Sequence, residues 1–320
     1  MDIERKQLGR SGVAVSRIGL GTAPIGGLFS PVSDENARAT LDTAWRAGIR
    51  YFDTAPHYGV GLAERRLGAF LKSYPRDEFV VSTKVGRVLV QGTGRQGDEC
   101  YWGGPDILVR RRAYSRDGVL RSLEDSLDRS GLSHFDIVLI HDPDEYGEVA
   151  LRHAYPALAT LRDQGIVRAI GVGMNQCQML CRFVNETDID MVLVAGRYSL
   201  LDRTAQAELL PLCRDRGVAV VVGGVFNSGV LVAPTAESHF DYQDVSPPIL
   251  RHVSKLAELC AVHAIPLGAA AIQFPLRSSA VSAILVGARS AEELRADLDF
   301  LCRPVPAGLW NELEATPYVG

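Results

Sequence analysis

Short apolar runs rich in β-branched and aromatic residues recur along this chain, and stretches of helical periodicity separate them. Runs at 18–21, 50–53, 79–84, 136–141, 167–173, 191–195, 218–222 and 282–286 read as eight buried strands. Between and after them the spacing predicts helices over 33–47, 61–72, 116–130, 148–164, 175–186, 202–215, 249–263 and 290–300. Gly48, Gly131, Gly165 and Gly217 stand where helix stops are expected. The turn cluster Gly9-Arg10-Ser11-Gly12 predicts a hairpin between Gln7 and Val15, ahead of the first strand. A last helix near 306–315 lies outside the repeat. Two connections are long and read as irregular: Val85 to about Ser115, and Gly223 to Pro248.

Strands alternating with helices through short connections indicate a parallel α/β fold. An open doubly wound sheet would place Gly-x-Gly-x-x-Gly after its first strand. Here Gly19-x-Gly21 runs on to Ala23-Pro24, and Gly171-Val172-Gly173 lacks the third glycine. The expectation is therefore a (β/α)8 TIM barrel in one domain, 1–320, with an N-terminal β-hairpin cap and long loops after strands three and seven.

Composition narrows the function classes. With 34 basic and 38 acidic residues the net charge is −4, which gives no footprint for nucleic acid or a membrane surface. The charged start, Met1 to Lys6, has no apolar signal core behind it, and no apolar run approaches the ~18 residues of a membrane span. Six cysteines are scattered, without Cys-x-x-Cys or matching His spacing. Reduced thiols, no metal site and a cytoplasmic location are expected.

The chemistry lies at three strand ends. Runs two, three and four finish on Asp53, Lys84 and His141, and Tyr58 follows Asp53 by five residues. In a parallel barrel the C-terminal strand ends meet on one face, so these four groups converge. A phenol with an ordinary pKa of ~10 needs help to exchange protons near neutrality. A neighbouring ammonium favours phenolate, a carboxylate anchors the ammonium, and an imidazole hydrogen-bonds a substrate oxygen. The set suits hydride transfer between a nicotinamide and a carbon–oxygen centre. Tyr58 is its acid/base, Lys84 the modulator of that phenol, Asp53 the anchor and His141 the orienting donor.

Phe52-Asp53-Thr54-Ala55-Pro56-His57-Tyr58-Gly59, Ser82-Thr83-Lys84 and Leu139-Ile140-His141-Asp142 resemble the signature segments of the aldo-keto reductase superfamily. The likeness runs from Leu8-Gly9 through the eighth helix. It implies a barrel holding NADP or NAD along its rim without a Rossmann domain, and a catalytic tetrad of Asp53, Tyr58, Lys84 and His141. It also implies cofactor contacts from Gly21 and Thr22, from Asn175 to the carboxamide, and from Phe226, Ser228 and Gly229. Gly287-Ala288-Arg289-Ser290 resembles the adenosine-phosphate segment, where Arg289 and Arg295 suit a 2′-phosphate and favour NADP. This chain departs from the pattern in three places. Asp297 stands where the family usually has Asn, Ala195 replaces a Gln, and Gly223 or Gly224 replaces the aromatic that stacks on nicotinamide, a part left to Phe226 or another loop residue.

The segments Gly61-Leu62-Ala63-Glu64-Arg65-Arg66-Leu67-Gly68, Gly173-Met174-Asn175-Gln176 and Gly223 to Gly229 resemble the aldose 1-dehydrogenase branch, the L-fucose and D-threo-aldose type. That branch implies oxidation of a sugar C1 to a lactone, the sugar being of L-fucose, L-galactose or D-arabinose type. Pyridoxal 4-dehydrogenase and general aldehyde reductase are the alternatives within the superfamily, and a cofactor-sensing channel-type subunit is a remote one. Polar groups around Trp102 in the first long loop suit a polyhydroxylated ring. His57, Trp102 and Arg197 are the substrate candidates. The expected partner is a small sugar or aldehyde, and the expected state a monomer or small homo-oligomer.

Overall fold

A computed structural model of the chain describes residues 3–92, 108–235, 237–241 and 243–318. A hairpin of β1 (Arg5–Gln7) and β2 (Ala14–Ser16) comes first. Eight strands then pair in parallel and close on themselves. They are β3 (Ile18–Gly21), β4 (Tyr51–Asp53), β5 (Val80–Val85), β8 (Ile137–His141), β9 (Ala169–Met174), β10 (Met191–Ala195), β11 (Ala219–Gly223) and β14 (Val281–Val286). The expected (β/α)8 barrel and its hairpin cap are both present.

Period-two alternation sorts the strand side chains into two cores. Tyr51, Val80, Ile137, Leu139, Met191, Leu193, Val221 and Leu285 pack inside the barrel, where Leu8, Val13 and Val15 of the hairpin region join them. Their sequence neighbours Phe52, Val81, Val138, Ile140, Val192, Val220 and Ile284 face the helical layer. Each fully buried branched side chain contributes about 1.5–3 kcal/mol, so this apolar stack can carry a polar upper rim.

Three expectations about connections need correction. The segment after β5 is not simply irregular: β6 (Arg87–Gln91) pairs antiparallel with β7 (Leu108–Arg112). The loop after β11 contains a two-residue hairpin, β12 (His239–Phe240) with β13 (Gln243–Asp244). A helix at Leu267–Gln273 escaped the sequence reading because its short, wholly apolar run carries no amphipathic period. Gln273 ends it by donating its amide to Phe300 O and Arg303 O at 2.7 and 2.8 Å, which ties it to helix Ala291–Cys302.

Candidate active site

Alternation also aims the rim groups. With Tyr51 and Val80 inside the barrel, Asp53 and Lys84 must point inward at the strand ends, as must His141 two residues beyond Leu139. Pairing registers Asp53 with Ser82, Lys84 with Leu139, and His141 with Gly173. The outward residue Thr83 instead reaches the helical layer and bonds Glu64 Oε1 at 3.1 Å.

Lys84 is 1% exposed and spends all three ammonium protons. It donates to Asp53 Oδ2 at 2.6 Å, Tyr58 Oη at 2.9 Å and the Thr54 carbonyl at 3.1 Å. Asp53 Oδ1 accepts from the Ser82 hydroxyl at 2.7 Å. Tyr58 enters from the loop after β4, which is held by Thr54 N–H donating to Ser82 O and by a turn with Gly59 at φ 60°. A Cβ on Gly59 would lie 2.1 Å from the Gly26 carbonyl oxygen, so only glycine lets these two loops touch. Val60, a β-branched residue at φ 54°, adds strain next to the phenol.

The His141 ring lies edge-on to Tyr58, with centroids 6.0 Å apart, and 5.7 Å from the His57 ring. His141 Nε2 is 3.4 Å from Asp142 Oδ2, which takes Arg87 Nη2 at 2.6 Å. Asp142 adopts φ 41°, and Tyr114 and Arg112 grip its carbonyl at 2.6 and 3.0 Å. Arg110 donates twice to the His57 carbonyl, at 2.7 and 3.1 Å. The β6–β7 hairpin thus supplies Arg87, Arg110 and Arg112 to the site. The arginine-rich run 110–112 resembles an ordinary solvated face in the sequence, so only the fold exposes its part. Among the described residues no cluster of His, Cys, Asp and Glu is placed to hold a metal ion.

The aldo/keto reductase family model matches residues 17–316. This chain belongs to the aldo/keto reductase family. It is an oxidoreductase that uses NAD or NADP. D-threo-aldose 1-dehydrogenase of a Pseudomonas species is 42% identical over 95% of this chain and 94% of its own length. Pyridoxal 4-dehydrogenase of Microbacterium luteolum is 41% identical, covering 98% and 97%. L-galactose dehydrogenase of Arabidopsis thaliana is 31% identical, covering 92% and 87%. The solved structure of a glycerol dehydrogenase from Gluconobacter oxydans superposes with a TM-score of 0.77 at 22% identity, over 98% of this chain and 95% of that one, a likeness of fold.

In this aldo/keto reductase the cofactor candidates line the same rim. Gly21 pairs with Asp53 in the sheet, and Thr22 donates its N–H and its hydroxyl to the Asp53 carbonyl. Asn175 follows β9, half-buried, and its amide makes no hydrogen bond among the described residues, so it is available to a carboxamide. Ser228 and Gly229 are exposed, while Phe226 packs partly against the barrel–helix core. Gly287 follows β14, and Ser290 caps the next helix by accepting the Glu293 N–H at 3.2 Å. Arg289 and Arg295 are engaged by Glu293 and Glu292. These are the groups that an extended dinucleotide on this rim would meet. Of the substrate candidates, His57 is buried beside His141, and Trp102 lies outside the described residues. Arg197 is held bidentately by Asp241 at 2.9 and 2.7 Å and by Asp202 at 3.3 Å, which fastens the loop after β11 to the end of β10.

Burial is the main force raising the Tyr58 phenol well above its ordinary pKa, and the Asp53 and Asp142 carboxylates add to it. Burial also holds His57 and His141 neutral, far below the usual histidine pKa, with Arg87 as the next cause for each.

These two histidines tie stability to pH. Below about pH 6.5 the unfolded chain binds protons at both positions while the folded chain does not. Stability is therefore kept above that pH and falls beneath it, by up to about 1.4 kcal/mol per pH unit for each histidine. Urea titrations from pH 7.5 to 5.5 should show a shallower fall in a His57→Gln/His141→Gln variant. Identical slopes would contradict the buried neutral state.

Proposed function

We propose that this chain is an NAD(P)-dependent aldose 1-dehydrogenase that oxidises the C1 hemiacetal of an L-fucose, L-galactose or D-arabinose type sugar to the aldonolactone. The observation that carries the chemistry is the unbroken contact from Asp53 through Lys84 to the Tyr58 phenol, with neutral His141 beside it. A bound nicotinamide supplies the hydride acceptor or donor. In oxidation the C1 hydroxyl proton passes to Tyr58 Oη as the C–H bond gives up its hydride. His141 Nε2 orients the reacting oxygen, Lys84 holds and polarises the phenol, and Asp53 fixes Lys84. Because His141 is neutral, it donates a hydrogen bond and keeps its proton.

The sugar class rests on two supports. The D-threo-aldose 1-dehydrogenase relative aligns almost end to end. Beside Tyr58 the rim carries His57, Asp142 and Arg87, a donor and acceptor set that matches adjacent hydroxyls. The close pyridoxal 4-dehydrogenase relative supports a second reading on the same catalytic groups. The reading includes a cytoplasmic location. Burial pushes the Cys181 and Cys260 thiols up to about 11 and Cys213 up to about 12, which suits reduced, inert cysteines.

The deciding experiment compares NAD(P)+ reduction with L-fucose, D-arabinose, L-galactose and pyridoxal, alongside NAD(P)H oxidation with nitrobenzaldehyde. One aldose should exceed pyridoxal in kcat/KM by about 10²-fold or more, as expected of a site built to pair hydroxyls. Faster turnover of pyridoxal would transfer the assignment to the second reading. Oxidation should climb with pH, since it needs the phenolate of a raised-pKa Tyr58, while reduction stays flat through neutrality.

A further inference from the structure

The turn after β14 pairs its two arginines with two glutamates. Strand order puts β14 beside β3 and β3 beside β4, so this turn shares the rim two strands from Asp53. Glu293, in the first turn of helix Ala291–Cys302, is held on both oxygens. Oε2 accepts the Arg289 backbone N–H at 2.8 Å. Oε1 accepts Arg289 Nη2 and Nε at 2.9 and 3.1 Å. Glu292 takes Arg295 Nη1 at 3.3 Å. Both guanidiniums are therefore committed to carboxylates. The helix N-terminus, which favours one negative group, already has its own.

A third carboxyl lies close to this pair. Asp297 lies one turn beyond Glu293 on the same helix face and is buried. Burial pushes its carboxyl up to about 7, and the Glu293 charge adds to the shift. A ribose 2′-phosphate brings a charge of about −1.5 to −2 at pH 7. Docking it here means either stripping Glu293 from Arg289 or seating the phosphate beside a fixed carboxylate. A ribose 2′-hydroxyl meets neither obstacle and can donate to that carboxylate.

We propose that Glu293 is the specificity-determining residue that rejects the 2′-phosphate and makes this enzyme NAD-selective. The assignment rests on the reading that a nicotinamide dinucleotide lies along the rim, and it reverses the NADP preference that Arg289 and Arg295 suggest in the sequence. Equilibrium binding tests it without turnover, by titrating intrinsic tryptophan fluorescence with NAD+, NADP+, 5′-AMP and 2′,5′-ADP. The unphosphorylated ligand of each pair should bind at least about tenfold more tightly, as like-charge contact requires. Glu293→Gln keeps an oxygen for the Arg289 backbone N–H and releases the guanidinium. That variant should tighten NADP+ binding by about tenfold while NAD+ changes by less than about threefold. Equal or tighter NADP+ binding in the wild type, or an unchanged preference in Glu293→Gln, overturns the assignment and leaves the oxidoreductase reading intact. Failure of both dinucleotides to bind overturns that reading and the assignment together.

Discussion

Replacing Tyr58 by phenylalanine should lower kcat by about 10²–10⁴-fold in both directions, the range for a lost general acid or base. The ring would still fill its place by the Gly59–Gly26 contact, because that packing needs no hydroxyl. Dinucleotide binding, read by fluorescence titration, should therefore change little. The alkaline rise of the oxidation rate should vanish as well, since the titrating group is gone. Full activity in Tyr58→Phe would remove the phenol from the mechanism. A large loss of dinucleotide affinity with preserved kcat would instead make it a binding residue.

The second large effect comes from Lys84→Met, on stability and on rate together. The ammonium pairs with Asp53 in a pocket where both side chains are nearly inaccessible, 1% and 3% exposed. Breaking one side of such a pair leaves a stranded buried carboxylate and costs about 3–5 kcal/mol. Urea denaturation at pH 7 should show that loss. The double variant Asp53→Asn/Lys84→Met should recover most of the stability, since no lone charge remains. It should recover none of the activity, because the phenol still lacks its ammonium. If the double variant is as unstable as Lys84→Met, the pair is not the source of the cost.

How much of this was legible in the sequence depended on the range of the interaction. Alternation in Tyr51-Phe52-Asp53, Val80 to Lys84 and Ile137 to His141 is local, and it puts three of the four proposed catalytic side chains on one rim. Tyr58 followed from its distance along a short loop. The β6–β7 pairing joins segments separated by sixteen residues, so local spacing does not announce it. Its contribution of Arg87, Arg110 and Arg112 stayed hidden with it. Arg289 and Glu293 were visible at helical spacing, yet one residue's charge on its own suggested a phosphate ligand. Only the closed geometry shows that charge already balanced. Burial of the Tyr58 phenol is likewise a property of the whole fold, not of a neighbouring residue.

The in–out alternation of the barrel strands bears on how this enzyme can diversify. Inserting or deleting a single residue within β4, β5 or β8 would swing the polar rim groups into the oily sleeve between barrel and helices and bring Phe52, Val81 or Ile140 into the lumen. Such indels cannot persist, so new substrates must be sought through the connecting hairpins and turns, with the strand lengths frozen.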